Sequence, residues 1–100
     1  MSLARVFRAR IVSGLEKEFE ELFETISVAS VTGAKGLLTV SIHRPTKWAP
    51  GEYAMISHWQ DDAALVAFAG DSWNQAKIPR GMEKFIAECW VHHYNSWQTC

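Results

Sequence analysis

Several patterns that define large protein classes are missing from this chain. Its two cysteines, Cys89 and Cys100, are too few for a disulfide framework. No window approaches the roughly 18 uninterrupted apolar residues of a membrane-spanning helix, and the N-terminus lacks an apolar segment followed by a small-residue cleavage site. We therefore expect a cytoplasmic protein with no membrane contact.

An excess of charge of one sign is also lacking. Ten Lys and Arg residues against eleven Asp and Glu residues leave a formal net charge of -1, whereas proteins that bind nucleic acid by neutralising phosphates are clearly basic. Residues 52–59, which read as a strand, contain no basic side chain other than His58, so the base-stacking strand of an RNA-recognition module is excluded. No Gly-x-Gly-x-x-Gly follows a strand, and a dinucleotide site is not indicated. We expect no nucleic-acid partner.

The chain does have the composition of a globular protein. Its 100 residues are 48% hydrophobic and 21% charged, which predicts one packed domain over residues 1–100. The spacing of apolar residues predicts the order strand, helix, strand, strand, helix, strand. The predicted bounds, in that order, are 3–12, 14–31, 37–43, 52–59, 61–70 and 89–94, with an irregular segment over 70–81 and a helical turn over 82–86.

Local signals place the ends and faces of these elements. Ser13 stands three residues before Glu16, which predicts a capping box at the start of the first helix. Asp61 or Asp62 is expected to cap the second helix, and Gly70 to end it. The apolar alternate positions of the first two strands form the predicted core: Phe7, Ala9, Ile11, Leu38, Val40 and Ile42.

This order of elements predicts an α+β fold. Two strand-helix-strand halves joined by a hairpin give the ferredoxin-like split βαβ arrangement, a four-stranded antiparallel sheet with both helices on one face. The other face of such a sheet normally meets water and is polar. Here the alternate strand positions are mixed and poor in charge, which favours burial against the same sheet of a second copy. We therefore predict a homodimer.

Four short motifs in a fixed order resemble the antibiotic biosynthesis monooxygenase family of dimeric α/β-barrel proteins. They are Val6-Phe7-Arg8-Ala9, Gly36-Leu37-Leu38, Ser57-His58-Trp59 with an acidic cap and Leu65 to Phe68 behind it, and Val91-His92-His93-Tyr94. The resemblance covers about residues 4 to 95. It implies a pocket between sheet and helices in each subunit. In some members this pocket oxygenates phenols or quinols with molecular oxygen and no metal or flavin, because the deprotonated substrate itself activates oxygen.

The resemblance also locates residues. Trp59 matches the pocket tryptophan of the actinorhodin-type monooxygenases, but the expected asparagine four residues earlier is Met55 and the expected tyrosine six residues later is Leu65. The haem-degrading branch of the family needs an asparagine, a tryptophan and a histidine at positions that fall here near Arg8, Phe68 and Ile78. We therefore expect no haem, and no other cofactor.

A pocket that stabilises a phenolate needs hydrogen-bond donors and a base, for which indole, imidazole and guanidinium side chains are the candidates. The candidate catalytic residues are Trp59, His58, His92, His93 and Arg8, and the candidate substrate-pocket residues are Met55, Leu65, Phe68, Trp73 and Tyr94. Neighbouring His92 and His93 point to opposite faces of a strand, so no metal site is expected.

Structural interpretations of the same residues stay open. Trp59 is also suited to be a core residue at a strand end, and Trp73 to be a loop anchor rather than a lid. Arg8 and Arg10 share a strand face where they could pair with carboxylates across the dimer. The function predicted is accordingly a cofactor-independent monooxygenase acting on a small aromatic phenol or quinol, and the alternative is a non-catalytic dimer that binds a small ligand or a protein partner.

Overall fold

The computed structural model describes residues 2–70, 73, 75–76 and 78–98. Its elements, in chain order, are β1 (Leu3–Ile11), α1 (Glu16–Leu22), a π-helical segment (Phe23–Ser27), α2 (Val28–Val31), β2 (Leu37–His43), β3 (Glu52–Trp59), α3 (Asp62–Ala69), a 3-10 turn (Glu83–Phe85) and β4 (Ile86–Asn95). Cys100 and residues 71, 72, 74 and 77 of the predicted irregular segment lie outside the described residues. No helix within the described ranges is long and apolar enough to cross a membrane.

The four strands form one antiparallel sheet in the order β2-β3-β1-β4. The central strand β1 pairs with β3 on one side and β4 on the other, which is the ferredoxin-like arrangement that the element order predicted. The α+β fold class is thereby confirmed. The last strand begins at Ile86, directly after the 3-10 turn, and is longer than the predicted 89–94.

The first helical region differs from the single helix predicted over 14–31. It begins at Glu16 after the cap position Leu15, which makes no side-chain cap bond, so the predicted capping box of Ser13 is wrong. Instead the Glu16 carboxylate accepts hydrogen bonds from the backbone N–H of Gly14 at 3.0 and 3.2 Å. The helix then widens into the π-helical segment 23–27, a local irregularity that often marks functional sites.

One face of the sheet packs under the helices, and we call it the inner face. Odd-numbered residues of β1 and β3 point to it, because side chains alternate along a strand. Ala9 and Ile11, together with the phenyl rings of Phe19, Phe23 and Phe85, belong to the main core cluster. Phe7 packs against the same cluster, so the predicted core positions on the first strand are confirmed.

The prediction for the second strand is correct except at one position. Val40 and Ile42 pack on the core as predicted, but Leu38 is 56% exposed. The pairing of β2 with β3 shifts between Leu37, opposite Trp59, and Thr39, opposite His58. This bulge turns Leu37 inward in place of Leu38, because one extra residue reverses the alternation of a strand.

The second helix follows its predicted signals. Asp61 is the N-cap, and its carboxylate accepts a hydrogen bond from the backbone N–H of Ala64 at 2.8 Å. The helix ends at Gly70, whose φ of 76° lies in the region that favours glycine. Leu65 is the buried residue of this helix and packs with Leu3 and Trp59 in a second, smaller core cluster.

Candidate functional site

A cavity lies between the inner face of the sheet and the helical layer. Its apolar wall comes from strands, helices and the segment before β4: Phe7, Phe19, Phe23, Val31, Met55, Phe68, Ile78, Pro79, Met82 and Ile86. The polar lining residues are Arg5, Ser27, Ser30 and Ser57. The cavity volume is about 40 Å³, whereas a cavity that binds benzene measures about 150 Å³. Binding of a single aromatic ring therefore requires the lining side chains to move apart.

Three polar side chains cross the inner face side by side. Arg5 on β1 is in register with Ser57 on β3 and with His93 on β4. Arg5 is 6% exposed and Ser57 is 3% exposed, whereas His93 is half-buried. We call these three residues the polar row. It interrupts an otherwise apolar surface at the wall of the cavity.

The guanidinium of Arg5 is the centre of the polar row. Nη1 donates to the backbone carbonyl of Trp73 at 2.9 Å and lies 3.0 Å from Nε2 of His93, and Nη2 donates to the carbonyl of Gln75 at 3.3 Å. Burial lowers the pKa of Arg5, but a guanidinium keeps its charge at any physiological pH. Within the described ranges the ion pairs belong to Arg10, Arg44 and Lys84, and no carboxylate reaches Arg5.

Burial, and next the contact with Arg5, favour the neutral form of His93. Because a guanidinium has no acceptor, Nε2 of His93 accepts the hydrogen bond and the proton of the ring sits on Nδ1. Burial lowers the pKa of His93, and the charges of Arg5 and His92 lower it further. The imidazole also packs edge-on against the indole of Trp73, with ring centroids 4.9 Å apart. His93 and Arg5 together attach Trp73 to the sheet.

Trp59 is buried in the smaller core cluster beside the cavity. It is 0% exposed, and its ring lies 5.0 Å from that of Phe68, centroid to centroid. Its indole N–H donates to Oγ of Ser57 at 2.9 Å. Trp59 is absent from the cavity lining, and the structure places it as the core interpretation anticipated.

The other candidate site residues divide between the two faces of the sheet. Met55 and Phe68 line the cavity, and Leu65 packs beside Trp59. The opposite face, which we call the outer face, carries four candidates: Arg8, His58, His92 and Tyr94. The sheet separates these four from the cavity. The prediction that His92 and His93 face opposite ways is confirmed, because His93 pairs with inner-face Arg5 and His92 with Val6.

Two residues of the site were not identified from the sequence. Arg5 occupies the same alternate strand positions as Phe7, Ala9 and Ile11. A charged residue at a predicted core position was therefore the sequence feature that could have indicated the site. Ser57 likewise alternates with Met55 and carries little signal of its own. Its position becomes informative once the strand register places it opposite Arg5.

A second hollow of about 230 Å³ opens between the first helix and the β2–β3 hairpin. Here Glu20 accepts hydrogen bonds from the Tyr53 hydroxyl at 2.6 Å and from Nε of Arg44 at 3.0 Å. The bond from Tyr53, and next that from Arg44, lower the pKa of Glu20. Burial, followed by the bond to Glu20, raises the pKa of Tyr53 to about 12. These mutually satisfied groups hold the helix against the hairpin.

Comparison with known proteins places this geometry in a family context. A family model described as antibiotic biosynthesis monooxygenase matches residues 2–72. SnoaB, a cofactor-independent oxygenase from Streptomyces nogalater, superposes with a TM-score of 0.71 at 16% identity over 98% of this chain and 95% of its own.

Two further solved structures have the same fold. The heme-degrader MhuD from Mycobacterium tuberculosis gives a TM-score of 0.74 at 18% identity, with 98% of each chain covered. A putative antibiotic biosynthesis monooxygenase from Bordetella bronchiseptica gives 0.70 at 21% identity, over 97% of this chain and 98% of its own. No curated protein matches the sequence significantly. At these identities the likeness is one of fold.

Proposed function

Because the chain belongs to the antibiotic biosynthesis monooxygenase family, we propose that it is a cofactor-independent monooxygenase that oxidises a small aromatic phenol or quinol in the cavity. The observation that carries the proposal is the buried guanidinium of Arg5 in a wall whose other described residues are apolar or serine. A positive charge in a dry pocket stabilises a phenolate, the electron-rich form that reacts with oxygen.

The chemistry balances without an added reductant. A phenol with hydrogen on its para carbon and one molecule of oxygen yield a quinone and water. One oxygen atom enters the ring, the other leaves as water, and the substrate supplies all four electrons. Arg5 stabilises the phenolate oxygen. The oxygen of the Ser57 hydroxyl accepts the hydrogen bond from Trp59, so the hydrogen of the same hydroxyl can be donated to the substrate. The apolar lining limits competing reactions with water.

The residues at the cavity do not fit haem, although one structural relative is a heme-degrader. Phe68 and Ile78, which stand at two positions that the haem-degrading branch needs, are both in the cavity wall and offer no atom to ligate iron. We derive no step through haem.

We further propose that the outer face is covered by the same face of a second copy. Several of its side chains are apolar and half-buried: Ala4, Val6, Ala54, Ile56 and Trp90. A face with these residues, paired by a two-fold axis, gives the dimeric α/β barrel that the family resemblance implies.

We also propose a cytoplasmic location. The exposed thiol of Cys89 is free, as is usual for cysteines in a reducing compartment.

Oxygen consumption tests the proposed reaction. Purified protein is mixed with a panel of monocyclic and polycyclic phenols and quinols in an oxygen electrode. We expect uptake above the buffer rate with at least one compound. Ser27→Phe, which fills the cavity from the π-helical segment, should abolish that uptake, whereas Ala29→Phe on the exposed side of α2 should retain it. Circular dichroism establishes that both variants are folded.

The alternative, a non-catalytic ligand-binding protein, is favoured by one specific observation. Among the described residues that line the cavity, Arg5 is the titratable one, and it cannot act as a base at neutral pH. Ligand binding that Ser27→Phe abolishes, with no oxygen uptake by the wild type across the panel, would establish this alternative.

A further inference from the structure

Among the described residues, the buried positive charge of the polar row has no counter-ion. Arg5 is 6% exposed, and its described acceptors are two backbone carbonyls and a neutral imidazole. Burying a charge is costly unless an opposite charge compensates it. Carbonyl dipoles offset part of that cost. A cation kept in this setting at a cavity wall indicates that the cavity receives the missing negative charge with its ligand.

The guanidinium has donors left for such a ligand. Of its five N–H groups, two on Nη1 and one on Nη2 are engaged. Within the described part of the chain, the Nε–H and the second Nη2–H have no acceptor. Nε–H and Nη2–H groups of a guanidinium bind anionic oxygens strongly, because the hydrogen bonds join opposite charges.

Of the lining residues that the structure describes, none is placed to take a proton from a neutral ligand. The serine hydroxyls of the lining are not bases at neutral pH, and Arg5 stays protonated. Facing Arg5 across the sheet are Ser57 from β3 and His93 from β4, and the lone pair of His93 at Nε2 is already bound by Arg5. The helical residues of the lining are apolar or serine. A ligand that is bound there as an anion is therefore one that has already lost its proton in water.

From this geometry we infer that the cavity binds its ligand as a preformed small aromatic anion, with the anionic oxygen on the remaining N–H groups of Arg5. The shared chemistry is a negatively charged oxygen on or next to an aromatic ring, supplied by a phenolate or by a carboxylate. The inference deepens the proposed function, on which it rests for the phenol class. It adds that, at a given pH, the more acidic ligands bind more tightly, because a larger fraction of them is ionised.

The test measures binding without oxygen. Tryptophan fluorescence, under nitrogen, reports the Kd of 4-nitrophenol, 4-cyanophenol and 4-methylphenol, whose acidity falls in that order. Titrations are run above pH 6.5, where His93 is neutral because its pKa is lowered. We expect the Kd of each phenol to rise about tenfold per pH unit below its own pKa, so that the midpoint moves with the ligand. One midpoint common to all three phenols, or no pH dependence, would overturn the inference.

A comparison of charged with neutral ligands, and of two arginine variants, completes the test. Benzoate should bind with no pH dependence in this range, and methyl benzoate, its neutral analogue, at least tenfold more weakly. If the phenols follow the prediction and benzoate does not bind, the site is specific for phenolates.

Arg5→Gln should weaken anion binding at least tenfold, whereas Arg80→Gln, an exposed residue with the same charge change, should stay within twofold. Equal binding of benzoate by wild type and folded Arg5→Gln contradicts the inference. Should Arg5→Gln fail to fold, the wild-type comparisons decide.

These results separate this inference from the proposed reaction. Neutral phenols bound as tightly as anions, with oxygen uptake, would refute anion selection and leave the oxygenase intact. Anion binding through Arg5 without oxygen uptake would support the inference and refute the oxygenase.

Discussion

The indole N–H of Trp59 donates a hydrogen bond to the hydroxyl of Ser57, two residues earlier on the same face of β3, over 2.9 Å. Both side chains are almost fully buried, Trp59 at 0% and Ser57 at 3% exposure. The pair joins the smaller core cluster to the wall of the cavity. It also satisfies the one polar atom of an otherwise apolar ring.

Removing that acceptor should weaken the fold. Ser57→Ala leaves the buried N–H of Trp59 without a partner, which costs about 1–3 kcal/mol of unfolding free energy. Urea denaturation followed by far-UV circular dichroism measures the loss. Ser13→Ala, at an exposed serine before α1, should change the stability by less than about 0.5 kcal/mol. Equal losses for the two variants would show that the Trp59 bond is not stabilising.

Gly36 is required for close approach as well as for its backbone conformation. Its φ is +89°, and a Cβ built on it would lie 2.4 Å from Cβ of Ala64 on α3. Gly33 has a similar φ of +88° but nothing within 4 Å of the corresponding Cβ. Gly33→Ala therefore isolates the backbone strain, about 1 kcal/mol, and Gly36→Ala should lose roughly 1–3 kcal/mol more. Thermal unfolding of both variants gives the difference, and no difference would exclude the predicted clash.

Acid should destabilise the protein through His93. Its folded-state pKa is lowered, chiefly by burial and then by Arg5, so between that value and the ordinary one near 6.5 the unfolded chain binds more protons. Stability is therefore fully present above about pH 6.5 and is lost as the pH falls through the folded pKa.

The measurement is the unfolding free energy of wild type, His93→Gln and His92→Gln between pH 7 and pH 5. We expect His93→Gln to flatten the loss on acidification, because glutamine does not titrate, and His92→Gln to retain most of it. A wild-type stability that rises toward pH 5 would reverse the sign of this argument.

The outer face is tested by a charge placed in its apolar part. Val6 and Ile56 are opposite each other in the β1–β3 register and are half-buried. Ile56→Arg would add a guanidinium from each copy to a face that already carries Arg8, so burial and like-charge repulsion both oppose association. Light scattering at micromolar concentration should give a dimer for wild type and a monomer for the variant. Ala29→Arg, exposed on α2, should remain dimeric. A wild-type monomer would contradict the proposed pairing.

Sequence patterns predicted most of the fold, because alternation and capping are local properties. The bounds of β2 and β3 and the Asp61 cap of α3 came directly from such patterns. The bulge at Leu38 could not be predicted, since it is a property of the pairing between two strands. The π-helical segment over 23–27 also has no distinctive local pattern.

The candidate site was less accessible to sequence reasoning. Met55 and Phe68, which were predicted as substrate-pocket residues, lie in the lining of the cavity. The polar row depends on register: Arg5, Ser57 and His93 are more than 30 residues apart from each other in sequence and meet only across the sheet. A lone arginine at a core position of β1 was visible, but its neighbours were not.

Isotope labelling tests the proposed reaction most directly. Wild-type protein is supplied with ¹⁸O₂ and the phenol that gives the fastest oxygen uptake, and the product is analysed by mass spectrometry. The account predicts a quinone that carries one ¹⁸O atom, with the second ¹⁸O recovered in water. A product without ¹⁸O, or the same labelled product from Ser27→Phe, would contradict it.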